Sequence, residues 1–163
     1  MDKELRRRQS ILGITGIGVI VFGFWSFIKI HLYFLVGREY LLSRPGYYGD
    51  PNPTALLIIT YIILLIIAAF DLSMRIYIGR NAVFEANNYH RKTHYVGAAM
   101  ILIFFTLLSI FLTIISIDPH DIDILDQIAS FLVDITSVSM LFELVSSSLK
   151  IRKIRNEEKA VRR

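Results

Sequence analysis

Long apolar runs dominate the pattern of the chain. Residues 11–28, 54–70 and 95–117 carry no charged side chain, and a fourth apolar stretch covers residues 122–149. A helix needs roughly 20 mostly apolar residues to cross a bilayer. The runs extend to four spans that satisfy this length, at about 11–36, 54–79, 94–117 and 122–149.

The spans are expected to be helical. In hydrocarbon, backbone polar groups must bond within the segment or within a closed barrel, and these runs are much longer than barrel strands. The prediction is therefore an all-α integral membrane four-helix bundle, forming a single transmembrane domain over residues 1–163. A length of 163 residues and a hydrophobic content of 54% agree with one apolar domain.

Basic residues indicate the orientation of the bundle. Four Lys and Arg residues precede the first span, and seven follow the last one within the tail 150–163. Because such residues are retained on the cytoplasmic side, both termini are predicted to be cytoplasmic, in a cell (inner) membrane. The same residues favour membrane lipids as partners through anionic headgroups. They explain the basic pI near 9.4 without nucleic acid.

Composition removes several kinds of chemistry. The chain has no cysteine, which excludes disulfides, thiolate catalysis and thiolate metal ligands. Four potential metal ligands fall within six residues of the sequence: Asp118, His120, Asp121 and Asp123. Their spacing fits neither a calcium-binding loop nor a zinc-binding helix. No metal and no cofactor is predicted.

The connecting segments differ in character. Residues 38–53, rich in Pro, Gly and Tyr, are expected to lie along the outer surface. Residues 80–93 are predicted to form a short amphipathic helix, and the tail 150–163 either a helical extension or a disordered arm. Residues 117–121 form a tight turn around Pro119, so spans three and four are expected to be antiparallel neighbours.

Small residues mark one face of the first span. Gly13, Gly16 and Gly23 lie within about 80° of one another around the helix, which permits close approach of a second helix. Packing explains this face without a ligand.

The fourth span carries the most informative polar residues. Asp123, Gln127, Ser130, Asp134 and Ser137 follow a helical spacing and share one face. Asp134, with Gln127, Ser130 and Ser137, forms a candidate intramembrane polar site for a proton, a cation or a partner helix. The alternative is a neutral Asp134 bonded to the Ser and Thr stripe at Thr106, Ser109, Thr113 and Ser116.

Two further charged groups are predicted. Asp71 and Arg75, one turn apart, are expected to form an inner charge cluster with Glu143, which is either a structural ion pair or an anion site. An outer polar group would contain Lys29, His31, Asp123 and Asp126. Lys29 can extend to the headgroups without any special role.

Three function hypotheses follow. The first is a non-catalytic complex subunit, scaffold or lipid- or small-ligand-binding bundle, which works as a homo-oligomer or with a partner membrane protein. The second is a proton- or ion-coupled transporter or channel subunit that uses Asp134. The third is an intramembrane enzyme built around Arg75, Arg80, Asn81 and Glu85. It is ranked lowest, since no recognised set of nucleophile, base and orienting group is visible.

Overall fold

The computed structural model describes residues 2–36, 52–87, 94–115 and 124–161, without the side chains of residues 2, 33, 36, 113, 124–130, 158, 159 and 161. These ranges contain four helices: α1 (Asp2–Val36), α2 (Pro53–Ala86), α3 (His94–Ile115) and α4 (Ile124–Val161). All four are long and apolar enough to cross a membrane. The all-helical prediction and the four candidate spans are confirmed for these residues.

The helix α2 begins at a capped proline. The side-chain and backbone oxygens of Asn52 both accept from the amide of Ala55, at 3.3 and 3.1 Å. Asn52 is thus an N-cap, and Pro53 occupies the first helical position, where its missing N–H costs nothing.

Two helices run further than the apolar pattern indicates. The prediction of a separate amphipathic helix within 80–93 is wrong at its start, because residues 80–86 continue α2. This segment consists mostly of helix-forming residues and contains neither Pro nor Gly. For the tail, the helical alternative is confirmed as far as Val161.

The chain divides into two compact units. Unit 1 comprises residues 1–19 and 77–163, and unit 2 comprises residues 20–76. In unit 1 the start of α1, the end of α2, and helices α3 and α4 share one apolar core. Its most buried members are Leu12, Ile78, Tyr95, Ala99, Leu141, Leu144 and Ile151.

Within unit 1, α3 packs directly against α4, which confirms them as neighbours. The start of α3 lies beside residues 148–152 near the end of α4, as expected for antiparallel helices joined by a short connection.

In unit 2, the second half of α1 packs closely against α2 at Gly23. A Cβ atom added at Gly23 would lie 3.0–3.1 Å from side-chain atoms of Arg75 and Leu72. Most other large apolar side chains of this unit are exposed, including Phe24, Ile66 and Phe70. Apolar exposure of this extent suits lipid as the surrounding solvent.

The predicted glycine face of α1 is confirmed as a packing surface. At Gly16, an added Cβ would lie 2.9 Å from the backbone oxygen of Gly79 and 3.1 Å from Ala82. At Gly13, the nearest atom is the Cβ of Ala86, at 3.6 Å. The absence of a side chain at Gly16 therefore sets how closely α1 and α2 approach.

Candidate functional site

A buried carboxylate joins three helices at one end of unit 1. Glu85, near the end of α2, is 7% exposed. Its Oε1 accepts from Arg152 Nε at 3.0 Å, and its Oε2 accepts from Arg152 Nη2 at 3.1 Å and from the Ser148 hydroxyl at 3.0 Å. The Tyr95 hydroxyl donates to the same oxygen. Side chains from α2, α3 and α4 thus meet on one carboxylate.

The chemistry of this group is structural. Arg152 neutralises Glu85 through a two-bond fork, and its guanidinium also lies 5.8 Å from the centre of the Tyr95 ring. Three of the four donor contacts go to Oε2 and one goes to Oε1, so both oxygens of the buried carboxylate are hydrogen-bonded. The network fastens three helix ends together.

The sequence pattern alone does not predict this network. The enzyme hypothesis groups Glu85 with Arg75, Arg80 and Asn81, but Arg80 and Asn81 contact other groups. Arg80 is exposed and lies 5.5 Å from the Phe84 ring, while Asn81 donates to the backbone oxygen of Tyr77 at 2.7 Å. The sequence contains one local indication of the network: Ser148 and Arg152 are four residues apart and therefore share one face of a helix.

A second charged contact connects α1 to α4. Arg8 Nη1 lies 3.4 Å from Glu143 Oε1, and Ser147 donates to the same oxygen at 3.2 Å. The Arg8 side chain is 20% exposed and that of Glu143 is 44% exposed. The Nε of Arg8 is buried without a hydrogen-bond partner among the described residues.

The predicted inner charge cluster is represented by separate contacts. In unit 2, Arg75 Nε donates to Asp71 Oδ2 at 2.8 Å, the expected one-turn pair. Glu143 contacts Arg8, in unit 1. A single cluster that includes Asp71, Arg75 and Glu143 stays a prediction.

The intramembrane polar site lies partly within the described residues. Asp134 is half-buried, Ser137 is buried, and both have interaction partners. The side chains of Gln127 and Ser130 lie outside the described part. Thr106, of the proposed partner stripe, is buried and donates to Leu102 O at 2.8 Å.

The outer polar group is described only in unit 2. His31 Nδ1 lies 2.9 Å from the backbone oxygen of Phe27, and its ring meets Tyr61 edge-on at 5.9 Å. Lys29 is half-buried and also has an interaction partner. Asp123 and the side chain of Asp126 lie outside the described part.

An open apolar groove of about 260 Å³ adjoins these rings. It is lined mainly by Phe34, Leu57, Ile58 and Tyr61. Thr54 is the polar contributor. This lining suits an apolar chain and offers no charged group for recognition.

Exposed basic side chains gather where Glu85 is buried. We call this region the basic end of unit 1, consisting of residues 3–8, 80–86, 94–95 and 147–155. Its exposed cations are Lys3, Arg6, Arg7, Arg80, Lys150 and Lys153. The only exposed carboxylates among the described side chains are Glu4 and Glu157. The surface is thus strongly cationic.

This surface is identified neither by a metal site among the described residues nor by a known relative. The described residues contain no group of three or more His, Asp or Glu side chains that could hold a metal ion. The chain matches no family model, no curated protein and no solved structure.

Proposed function

We propose that this chain is a non-catalytic, multi-pass protein of the cell (inner) membrane that binds anionic lipid headgroups at its cytoplasmic face. It would act as a lipid-binding subunit or scaffold, as a homo-oligomer or with a partner membrane protein. The observation that carries the proposal is the set of six exposed Lys and Arg side chains at the basic end of unit 1.

Position supports this proposal. These cations occupy the first turns of α1 and the regions near the end of α2 and after residue 149 of α4, adjacent to long apolar segments. In a bilayer, side chains at such helix ends lie at headgroup depth, where each Lys or Arg gains about 1 kcal/mol from an anionic surface. By the positive-inside rule, the same residues favour a cytoplasmic position for this end.

The state of the charged groups also argues against catalysis there. Glu85 is fully engaged by Tyr95, Ser148 and Arg152. A general base must accept a substrate proton, whereas the Glu85 carboxylate is buried and paired with Arg152. Arg80 and Asn81 contact other groups.

Selective lipid retention tests the proposal. Purified protein is incorporated into nanodiscs of equal phosphatidylcholine and phosphatidylglycerol, extracted in mild detergent, and its bound lipid is quantified by mass spectrometry. We expect phosphatidylglycerol to be enriched on the order of tenfold, since contact with one or two cations gives about 1 kcal/mol each. The enrichment should vanish in about 1 M salt, where the Debye length is about 3 Å. Equal retention of both lipids at low salt would refute the proposal.

Transport through Asp134 stays a prediction. Asp134 is half-buried on α4, and four helices seldom enclose a pathway without a second copy.

A further inference from the structure

An open cationic cavity lies along the first two turns of α1, at the basic end of unit 1. The cavity has a volume of about 420 Å³ and is lined by Lys3, Glu4, Arg7 and Arg8. Lys3 and Arg7 are one turn apart, as are Glu4 and Arg8, so each pair is adjacent on the helix surface.

Two cations of this cavity have no ion-pair partner among the described side chains. Lys3 and Arg7 are exposed, and neither forms an ion pair with a described side chain. Glu4 is likewise exposed and forms no such pair. Arg8 is paired with Glu143, so Lys3 and Arg7 face one nearby carboxylate, Glu4, and the excess positive charge is available to an anion.

Arg8 contributes to the cavity a guanidinium that is poorly satisfied within the protein. Its Nε–H is buried without a partner among the described residues, and its Nη1 lies a long 3.4 Å from Glu143. Because protein covers the Nε, an anion in the cavity would be contacted by the terminal nitrogens of the guanidinium. The planar guanidinium fork matches phosphate oxygens in geometry.

The surroundings distinguish a lipid from a free anion. The α1 face that carries Lys3 and Arg7 continues with Ile14 and Ile17, which are 66% and 57% exposed. Ile14 follows Arg7 by two turns, so a chain attached to a phosphate in the cavity would extend along an apolar surface.

We propose that this cavity is a specific site for the phosphate of an anionic phospholipid, with Lys3, Arg7 and Arg8 as its donors. The inference rests on the proposed lipid-binding function and adds a defined site to it. Glu4 disfavours a second negative charge, so the ligand class is a phosphodiester lipid with a single phosphate.

Matched charge variants of the full chain test the site. The probe is short-chain phosphatidylglycerol, titrated into the detergent-solubilised protein, and bound copies are counted by native mass spectrometry. Arg7→Gln removes an exposed cavity cation and is expected to fold. Lys153→Gln removes an exposed cation of the same basic end that does not line the cavity.

We expect Arg7→Gln to weaken the tightest binding step on the order of tenfold, while Lys153→Gln changes it less than about twofold. Arg8→Lys retains the charge but lacks the planar guanidinium fork, and a loss of binding with an unchanged melting temperature would support a role for the fork. Phosphatidylcholine, which has no net charge, should not show the tightest binding step.

Other outcomes would overturn the site. Equal losses in Arg7→Gln and Lys153→Gln would mean diffuse attraction to the basic end, which leaves the proposed function intact and removes the defined site. Displacement of the lipid by an equal concentration of inorganic phosphate would identify free phosphate as the ligand and contradict the lipid assignment. If no anionic lipid binds to the wild type, both proposals fail.

Discussion

At the residue scale, the decisive feature is the buried, hydrogen-bonded carboxylate of Glu85. Charged residues at a helix end normally face water, but here a carboxylate is buried and four contacts from Tyr95, Ser148 and Arg152 satisfy it. Removing one partner of a buried ion pair leaves the other charge uncompensated, which costs more than the pair itself contributes. Removal of either member of the Glu85–Arg152 pair should therefore destabilise unit 1.

This role gives a prediction for Glu85→Gln. The variant should lower the free energy of unfolding by about 3 kcal/mol, because Arg152 loses its counter-charge in a mostly buried position. Glu157→Gln is the matched control, since Glu157 is exposed, and its effect should stay within about 0.5 kcal/mol. Equilibrium unfolding in denaturing detergent measures both. Similar stability of the two variants would show that Glu85 is not a structural centre.

The site could be predicted from the sequence only in part. The Asp71–Arg75 pair follows from helical spacing alone, because its two members are one turn apart. The partners of Glu85 are not local: Tyr95 is ten residues away, and Ser148 and Arg152 are more than sixty. Their meeting depends on how α2, α3 and α4 pack, which no local pattern contains. The Arg8–Glu143 contact escaped prediction for the same reason.

At the scale of elements, hydropathy predicts which segments cross a membrane better than where the helices end. The apolar runs gave the four spans, but α1 starts at Asp2, α2 continues to Ala86 and α4 to Val161. The apolar part of each span ends at the first charged residues. Helical hydrogen bonding can continue beyond that point through Lys, Arg, Glu and Ala, which are good helix formers. The basic end of unit 1 consists largely of these helical extensions.

The close approach of α1 and α2 gives a prediction for Gly16→Ala. The added Cβ would lie 2.9 Å from the backbone oxygen of Gly79, so the two helices must separate. We expect a loss of about 1–3 kcal/mol, typical of overpacking.

The control for this prediction is Gly97→Ala. No atom lies within 4 Å of a Cβ at this position of α3. The replacement of a helical glycine should then be neutral or stabilising by up to about 1 kcal/mol. Equal destabilisation by both variants, measured as melting temperature in one detergent, would contradict a packing role for Gly16.

At the scale of the whole molecule, the account depends on the sidedness of the basic residues. Both ends of the chain carry dense Lys and Arg, and lipid binding at the cytoplasmic face requires both ends to lie there. The described helices fix the length and apolarity of the spans. The side of the membrane follows from charge alone and needs a direct measurement.

Cysteine accessibility most directly measures the side of the membrane on which each end of the chain lies. The chain contains no cysteine, so each single-cysteine variant gives one signal. Asp2→Cys, Ser43→Cys and Glu157→Cys mark the two ends and the predicted outer loop. With a membrane-impermeant maleimide on intact cells, we expect labelling at residue 43 only, and labelling at residues 2 and 157 once the membrane is opened. Labelling of residue 2 or 157 in intact cells would place a basic end outside and contradict the account.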